Sequence, residues 1–529
     1  MELNLADLFE SVVDTVPDRT AVLSGDRRLT YASLDERANR LAQVLSQAGV
    51  GADDFVGIQL PNGSEYLEVM IAAFKLRAVP VNVNYRYVDA ELQHLYADAG
   101  LVALVHHVDF ANAVGGAVDS MAERRAVLSV GTGGDYEEAI SSVEPLGEYP
   151  PRSADDLYCV YTGGTTGLPK GVLWRQEDIF FAAMGGGDPY QFGMHIGAAE
   201  ELAERIPDTG LVAIPAPPFM HAAAHWLAFA MLFGGGTIVT LPSGHFDART
   251  TLELVEKERA NILVVVGDAM ARPLIDVLED DPDAYDLSSL MALGSGGALL
   301  SPSTKSRLRA LKPDLIVRDS FGSSETGQIG GAPPADDPDG SPRLQLDDRT
   351  TVLDDDLHPV APGSGVVGRL ARGGRVPLRY LGDPDKSAAT FVSVDGTRWA
   401  LPGDLATIEG DGTIVVLGRS SQCINTGGEK VYPEEVEGAL KAHPDVVDVV
   451  VVGIPDENWG QAVCAVVQQR PGSTLTLEDL RESAGLRIAR YKLPRHLVFV
   501  GQVERSPAGK PDQRWAAAVA ADATAVTGP

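Results

Sequence analysis

The sequence predicts an α/β fold for most of the chain, followed by a smaller α+β unit. Apolar, strand-like runs alternate with amphipathic helical stretches from the N-terminus to about residue 297. Between about residues 340 and 418 the strands become short, and Gly, Pro, Asp and Thr become frequent. After Arg419 a compact pattern of helices and strands returns. These three changes of pattern predict a large α/β region, a β-rich unit and a small C-terminal unit.

The N-terminal alternation begins with residues 29–49, where apolar side chains recur at helical spacing up to a glycine. A strand is predicted at 55–60, a helix followed by a strand at 66–83, and further strands at 101–107, 211–217, 236–241, 261–267 and 290–297. Such alternation is typical of a largely parallel sheet covered by helices. Residues 184–208 interrupt it and predict a surface insertion or lid.

The β-rich unit at about 340–418 predicts a small antiparallel or barrel-like sheet. We place a domain boundary at 419–422 and a C-terminal domain at 423–529. Its predicted elements are a helix at 434–444, strands at 446–455 and 461–469, a helix at 477–490 and a strand at 496–501. Residues 516–529 carry few side chains that would pack, and we expect them to be mobile.

Composition limits the classes of function. A chain of 529 residues predicts three or four folding units. It has no apolar run long enough to span a membrane, and its acidic N-terminus does not resemble a signal peptide. The widely spaced Cys159, Cys423 and Cys464 fit a reducing cytoplasm. A net charge of −31 disfavours nucleic acid as a partner, so any anionic substrate must meet locally placed Lys or Arg.

Residues 161–171 (YTGGTTGLPKG) are the most informative stretch. Glycines let backbone N–H groups approach an anion, while threonine hydroxyls and Lys170 add donors and a charge. The order differs from a Walker A loop because no Ser or Thr follows Lys170. A Gly/Thr-rich hairpin turn is the alternative interpretation. The apolar flanks at 157–161 and 171–174 favour a phosphate cradle, since a long glycine loop is costly to order.

Seven further stretches follow in a fixed order. They are PAPPFMHAAAHW (215–226), LGSGGALL (293–300), DSFGSSETG (319–327), LPGDLATIEGDGTIVVLGRSSQ (401–422), INTGGEKVYPEEVE (424–437), PDENWGQAV (455–463) and RSPAGKPDQRW (505–515). Together with the 161–171 loop they resemble the adenylate-forming enzymes, and within them the acyl-CoA synthetases. The resemblance implies a large N-terminal domain (1–418) of two helix-covered, mainly parallel sheets plus a small β-barrel-like unit. It also implies a hinge and a small mobile C-terminal domain.

The resemblance implies an ATP site. Its phosphate-binding residues would be Thr162, Gly163, Gly164, Thr165, Thr166 and Lys170. Its nucleoside-binding residues would be Gly296, Gly297, Ala298, Phe321, Gly322, Ser323, Ser324, Asp404 and Arg419. Phe321 and Ser324 replace the family's usual Tyr and Thr, which keeps a ring and a hydroxyl. Glu325 would hold Mg²⁺, a cation that prefers carboxylate oxygens.

The resemblance also implies residues for catalysis, the acid and CoA. Lys510, Glu325, His221 and Thr162 would be catalytic. His221, Trp226, Gly330 and Gly331 would border the acyl site, with His225 a weaker candidate. Gly427, Gly428 and Glu429 would meet the pantetheine of CoA, and Ser421 would be the hinge residue. Ser421 and Gln422 stand where the family more often has charged side chains. The apolar helix at 226–233 suits either a buried helix or the wall of a fatty pocket.

The activity implied by the resemblance is ATP-dependent joining of a carboxylic acid to CoA through acyl-AMP. A narrower likeness points to actinobacterial enzymes acting on long-chain or sterol side-chain acids. Two alternatives stay open: an acid-adenylating enzyme that loads a carrier protein, and a nucleotide-binding regulator without catalysis. Met220 follows Phe219 where an amino-acid-activating site commonly has an acidic residue. A homodimer and peripheral membrane association also stay open.

Overall fold

The computed structural model describes residues 1–164, 167–188, 194–242, 246–298, 300–330, 343–419, 422–426, 429–456, 460–488, 490–505 and 511–526. Up to residue 330 the elements are α1 (Leu5–Thr15), β1 (Thr20–Ser24), β2 (Arg27–Thr30), α2 (Tyr31–Gln47), β3 (Phe55–Gln59), α3 (Ser64–Lys75), β4 (Val79–Asn82), α4 (Asp89–Ala99), β5 (Leu101–His107), α5 (Ala111–Ala117), β6 (Ala126–Val130), α6 (Tyr136–Ser141), β7 (Leu157–Gly164), β8 (Gly167–Arg175), α7 (Gln176–Ala183), α8 (Glu201–Glu204), β9 (Val212–Pro215), α9 (Ala222–Phe233), β10 (Thr237–Thr240), α10 (Ala248–Lys257), β11 (Ile262–Val265), α11 (Gly267–Asp280), β12 (Ala292–Gly296), α12 (Pro302–Leu311), β13 (Ile316–Ser323) and β14 (Gly327–Gly330). The later elements are β15 (Arg343–Gln345), β16 (Thr350–Leu353), β17 (Gly368–Gly373), β18 (Arg379–Tyr380), α13 (Pro384–Thr390), β19 (Phe391–Val394), β20 (Thr397–Ala400), β21 (Asp404–Ile408), β22 (Thr413–Arg419), β23 (Ile424–Thr426), β24 (Glu429–Val431), α14 (Pro433–Lys441), β25 (Val446–Asp456), β26 (Gly460–Gln469), α15 (Leu477–Gly485), β27 (His496–Val500) and α16 (Gln513–Val526).

The predicted alternation forms two mainly parallel sheets. One has eight strands in the order β14-β13-β12-β11-β9-β10-β1-β2, and its outermost strands β2 and β14 are antiparallel to their neighbours. The other has seven strands in the order β18-β8-β7-β4-β3-β5-β6, with β8 and β18 antiparallel to their neighbours. Helix α3 contacts β3 and β4 of one sheet and β1 of the other, and its side chains from Tyr66 to Lys75 are buried. This helix is buried on all sides and contacts both sheets, which share one core.

The β-rich unit is a seven-stranded antiparallel sheet. Its strands follow the order β15-β22-β21-β17-β20-β19, and β16 pairs with β17. Over residues 343–419 the sheet does not close into a barrel. Strand β18 leaves this unit and adds to the edge of the seven-stranded α/β sheet, beside β8.

The C-terminal sheet runs β24-β23-β26-β25, and β27 lies parallel to β26. The expectation that few side chains of residues 516–529 would pack is wrong for the residues that the structure describes there, while their mobility stays a prediction. Helix α16 buries Ala516 and Ala520 fully, and Trp515 and Val519 pack into the same cluster. Alanines four residues apart lie on one helix face, so the helix can approach the sheet closely.

The stretch at 184–208 is not a detached lid where the structure describes it. Ile196, Ala199 and Leu202 are buried in the main core, and the His195 ring lies 5.7 Å from the ring of Phe181 on α7. Three apolar anchors therefore attach the insertion to the domain.

Residues before and after the predicted hinge contact each other where α11 meets β25 and where α14 meets β22. Arg272 on α11 donates hydrogen bonds to the carbonyls of Val446, at 3.1 Å, and Val447, at the start of β25. Arg272 also forms a 3.1 Å ion pair with Asp268. Among the helices described, none is long and apolar enough to cross a membrane.

Candidate functional site

The glycine-rich stretch forms the end of a β-hairpin. Strands β7 and β8 pair antiparallel from Leu157 opposite Arg175 to Thr162 opposite Lys170, and after a register shift Gly164 lies opposite Gly167. The strands thus extend well beyond the predicted flanks, because the glycines pair as strand residues. The described residues of this stretch form a β-hairpin, and its use as a phosphate cradle stays a prediction. Thr165 and Thr166 lie outside the described residues.

Lys170 lies beside Tyr380 and Lys386. The Lys170 Nζ is 5.2 Å from the centre of the Tyr380 ring, and the Lys386 Nζ is 5.6 Å from the same ring. Burial and the neighbouring Lys386 ammonium lower the pKa of Lys170 to about 8, while the Glu325 carboxylate acts in the opposite direction. An anion bound here would relieve the repulsion between the two ammonium groups.

Strand β18 brings Tyr380 to the hairpin. Tyr380 pairs with Val172 of β8, and the Leu381 N–H donates a 2.8 Å hydrogen bond to the Gly171 carbonyl. The Tyr380 N–H donates to the Ser387 hydroxyl of α13 at 2.9 Å, which fixes the helix that carries Lys386. Sequence reasoning missed Tyr380 and Lys386. The available signal was the Asp-Pro helix start at Asp383, whose side chain caps α13.

Glu325 lies in the turn between β13 and β14. The Tyr380 hydroxyl donates a 2.8 Å hydrogen bond to Glu325 Oε1, and the Glu325 N–H donates to Ser323 Oγ at 3.2 Å. The indole N–H of Trp174, a buried residue of β8, donates to the Ser324 carbonyl at 3.0 Å. The turn is therefore attached to the same hairpin strand that carries Lys170.

The Gly296–Ala298 turn lies next to the start of α9. The Ser295 hydroxyl donates to the Ala298 carbonyl at 2.6 Å and accepts from the Gly267 N–H at 2.8 Å, and Gly297 has a φ of +83° that favours glycine. A Cβ placed on Gly296 would lie 3.8 Å from the Cβ of Ala223, in the first turn of α9. His221 is the N-cap residue of that helix. The structure thus brings together two motifs that are separated in sequence.

Asn82, at the end of β4, ties these parts together. Its side-chain amide donates to the carbonyls of Tyr161, at 2.8 Å, and Met220, at 2.7 Å, and its oxygen accepts from the Tyr161 N–H at 2.7 Å. Asn82 is buried. Sequence reasoning missed it; a polar residue ending an apolar strand was the only signal.

His225 and Trp226 belong to a buried hydrogen-bonded group. His225 Nδ1 donates to the Phe219 carbonyl at 2.7 Å, and its Nε2 accepts from the Tyr158 hydroxyl. The Trp226 indole donates to that hydroxyl at 2.8 Å. Burial lowers the pKa of His225 to about 4, so the ring is neutral. These partners give His225 a structural part.

Helix α9 is a buried helix over the range predicted as apolar. Phe229 packs edge-on against Phe74 of α3 at 5.6 Å, and Phe233 packs edge-on against Phe180 of α7 at 5.4 Å. Of the two interpretations of this range, the buried helix fits these contacts.

Asp404 and Arg419 are directly opposite each other on β21 and β22. Asp404 is buried, and Phe321 packs against the core of the β-rich unit. Gly322 and Ser323 end β13, and Gly330, the last residue of β14, is opposite Phe321. Gly163, Gly164, Arg419 and Glu429 are placed here by their strands alone. Gly331, Ser421, Gly427, Gly428 and Lys510 lie outside the described residues.

Glu325 fits a Mg²⁺ site that is completed by substrate. The residues that the structure describes contain no group of three or more His, Cys, Asp or Glu able to hold a metal ion by themselves. Mg²⁺ in phosphate-handling enzymes commonly binds one or two carboxylates together with phosphate oxygens. A single carboxylate beside an anion-attracting lysine pair has this donor set.

Two family models match the chain: AMP-binding enzyme over residues 9–378, and AMP-binding enzyme C-terminal domain over residues 435–510. The chain belongs to the AMP-binding enzyme family. Among AMP-binding enzymes it is 47% identical to the 3-oxocholest-4-en-26-oate–CoA ligase of Rhodococcus rhodochrous, over 98% of this chain and 96% of that protein. It is 46% identical to the medium/long-chain-fatty-acid–CoA/3-oxocholest-4-en-26-oate–CoA ligase of Mycobacterium tuberculosis, over 97% of this chain and 95% of that one.

A solved CoA ligase shares the fold. The crystal structure of the anthranilate CoA ligase AuaEII with anthranoyl-AMP superposes with a TM-score of 0.85 at 21% identity, covering 98% of each chain. These likenesses confirm the predicted membership of the adenylate-forming acyl-CoA synthetases and the predicted fold class.

Proposed function

We propose that this chain activates a medium- or long-chain fatty acid, or the side-chain carboxylate of a sterol, as acyl-AMP and transfers the acyl group to CoA. Support for the substrate class comes from relatives of nearly equal length at 46–47% identity. The observation that carries the chemistry is the contact of Tyr380 with two residues. Lys170 lies beside its ring, and Glu325 accepts a hydrogen bond from its hydroxyl. That arrangement would offer one polyphosphate a cation directly and, at the carboxylate, a site for Mg²⁺.

In the first half-reaction a carboxylate oxygen of the acid attacks the α-phosphorus of ATP. The bond from the α-phosphorus to the bridging oxygen breaks, and pyrophosphate leaves with the electron pair. Two anions must meet, so positioning and charge dominate the barrier. Thr162 and the backbone of the hairpin end bind the β- and γ-phosphates together with Lys170. Glu325 would hold Mg²⁺, which when bound would offset the negative charge of the phosphates.

The nucleoside lies between two segments of the large α/β region, the Gly296–Ala298 turn and the end of β13, and the strands β21 and β22 of the β-rich unit. The Gly296–Ala298 turn and Phe321 contact the adenine. The Asp404 carboxylate accepts hydrogen bonds from the ribose hydroxyls, and Arg419 donates to the ribose. Their opposed register on β21 and β22 supports this assignment, since a diol is then met from both strands. Lys510 bridges the carboxylate and the α-phosphate, a role that rests on the motif at 505–515.

In the second half-reaction the CoA sulfur attacks the acyl carbonyl carbon. The carbon–oxygen bond to AMP breaks, AMP leaves, and the thiol proton passes to solvent. We assign this step to a rotation of the C-terminal domain about Ser421, which replaces Lys510 by the Gly427–Glu429 turn. Such a rotation would break the hydrogen bonds that Arg272 donates to β25.

The acid enters near His221, at the start of α9. Trp226 and the glycines at 330 and 331 stay as predicted acyl-site residues. The Trp226 indole N–H already donates a hydrogen bond to Tyr158, so an apolar acid would contact Trp226 through the ring surface. A cytoplasmic location and a homodimer likewise stay predictions.

ATP–pyrophosphate exchange with a panel of acids tests the proposal. We expect exchange with fatty and sterol side-chain acids, and acyl-CoA only when CoA is added. If the acyl group is transferred to a pantetheinylated carrier protein but not to CoA, the acceptor is the carrier protein and this part of the proposal is wrong. Binding of ATP without exchange for any acid would favour a non-catalytic regulator.

A further inference from the structure

Lys170 and Lys386 differ from the six other lysines whose side chains the structure describes. Six lysine side chains form ion pairs within 4.0 Å: Lys75, Lys257, Lys305, Lys312, Lys441 and Lys492. Lys170 and Lys386 form none with the described carboxylates. In a chain of net charge −31, ordinary lysines find acidic partners readily. The Glu325 and Asp383 carboxylates favour the charged form of Lys170 from beyond ion-pair distance. Two partly buried lysines without a direct ion pair indicate a site for an anion from outside the chain.

The structure holds Lys386 in position. Asp383 caps α13 by accepting from the Lys386 N–H at 3.0 Å, and the Ser387 hydroxyl donates to the Asp383 carbonyl at 2.6 Å. Ser387 also accepts from the Tyr380 N–H. The first turn of α13 is therefore fixed to β18, and β18 is fixed to the hairpin strand β8. Both ammonium groups then lie within 6 Å of one ring.

We infer that Lys386 is a second phosphate-binding residue and that Lys170 and Lys386 together hold the pyrophosphate part of ATP. The inference rests on the proposed function, which places the β- and γ-phosphates at the hairpin. Pyrophosphate carries several charges at neutral pH, so two cations and a metal ion match it better than one cation. The charge of Lys386 also favours release of pyrophosphate from the α-phosphorus.

The test compares full-length wild type with Lys386→Gln, Lys386→Arg and a control, Lys312→Gln. Lys312 is the partly buried C-cap residue of α12 and, among the described residues, forms an ion pair with the exposed Asp314. Three quantities are measured: calorimetric binding of pyrophosphate with Mg²⁺, the pyrophosphate concentration that half-saturates exchange, and acyl-CoA formation from supplied acyl-AMP. Melting temperatures check that each variant is folded.

For Lys386→Gln we expect about tenfold weaker pyrophosphate binding and about a tenfold higher half-saturating concentration. Lys386→Arg should recover most of both, and Lys312→Gln should match wild type. Acyl-CoA formation from acyl-AMP should be unchanged, because no pyrophosphate takes part. Unchanged pyrophosphate binding in Lys386→Gln overturns the inference, as does equal loss of both half-reactions with a lowered melting temperature.

The binding measurement separates this inference from the proposed function. Wild type that binds pyrophosphate but activates no acid contradicts the proposed function. Lys386→Gln then still decides the inference by the strength of that binding.

Discussion

The Tyr380 hydroxyl donates a 2.8 Å hydrogen bond to the Glu325 carboxylate, across 55 positions of the chain. Tyr380 reaches it on a two-residue strand that pairs with β8, next to the strand residue Lys170 on the same hairpin. One side chain thus contacts a carboxylate through its hydroxyl and two ammonium groups through its ring. Tyr380 therefore contacts both the proposed metal ligand and the two proposed phosphate-binding lysines.

Replacing Tyr380 by Phe should lower the rate of adenylation about tenfold, because a hydrogen bond to a charged group is lost while the ring stays. The concentration of Mg²⁺ that half-saturates exchange should rise, since Glu325 is then less well oriented. Exchange measured over a range of Mg²⁺ checks both effects. Tyr149→Phe is the matched control, because Tyr149 also donates one hydrogen bond, to Asn39, away from the site. Equal Mg²⁺ dependence in wild type and Tyr380→Phe would contradict the assignment of Glu325.

Lys510→Ala should abolish adenylation and largely spare acyl-CoA formation from supplied acyl-AMP. The lysine is needed only where the carboxylate meets the α-phosphate. The two half-reactions are measured separately, by pyrophosphate exchange and by thioester release. Arg514→Ala, which removes an exposed charge four positions on, should leave both unchanged. Equal loss of the two half-reactions in Lys510→Ala would remove the lysine from this role.

Asn82→Ala should destabilise the N-terminal domain by about 2 to 4 kcal/mol, because three buried backbone groups lose their partner. It should also slow adenylation more than transfer to CoA, since Asn82 holds the hairpin strand β7 beside the segment before His221. Urea unfolding and the two half-reaction rates test this. Asn39→Ala, which removes an amide that bonds to Asp35 and Tyr149, serves as the control for a lost side-chain amide. An unfolding free energy within error of wild type would show that β7 does not depend on Asn82.

His225 should make the fold sensitive to mild acid. Its pKa is about 4 in the folded protein against a usual value of 6.5, so the unfolded chain binds the proton first as pH falls. The stabilisation from the neutral ring is complete above pH 6.5 and is lost as pH falls toward 4. Over that range the loss is about 3 kcal/mol.

Urea unfolding between pH 7.5 and pH 4.5, followed by tryptophan fluorescence, measures this loss. In His225→Gln the free energy of unfolding should fall less over the same range than in wild type. His358→Gln, at an exposed position, should keep the wild-type dependence. An identical pH dependence in wild type and His225→Gln would show that His225 is not the group responsible.

Several features of this protein follow from local sequence. Alternating apolar runs predicted the strands that became β3, β4, β5, β9, β10, β11 and β12, because side-chain periodicity is set by the backbone of each element. The predicted helix at 477–490 is shorter than expected, ending at Gly485. Glycine often ends a helix, but the apolar residues after Gly485 led to a predicted helix that continues past it. The barrel-like unit is an open sheet, since closure depends on strand pairing that one strand's sequence does not specify.

The order of the motifs by itself determined the family, the two half-reactions and the residues proposed for them, since each motif is a short continuous loop whose chemistry is readable locally. Only the tertiary structure placed Tyr380, Lys386 and Asn82 at the site and made His225 a core residue. Each of these depends on pairing or packing between segments distant in the chain. The register of β18 on β8 and the burial of α9 are decided by the assembled core. A side chain gains its partner only when that core has formed.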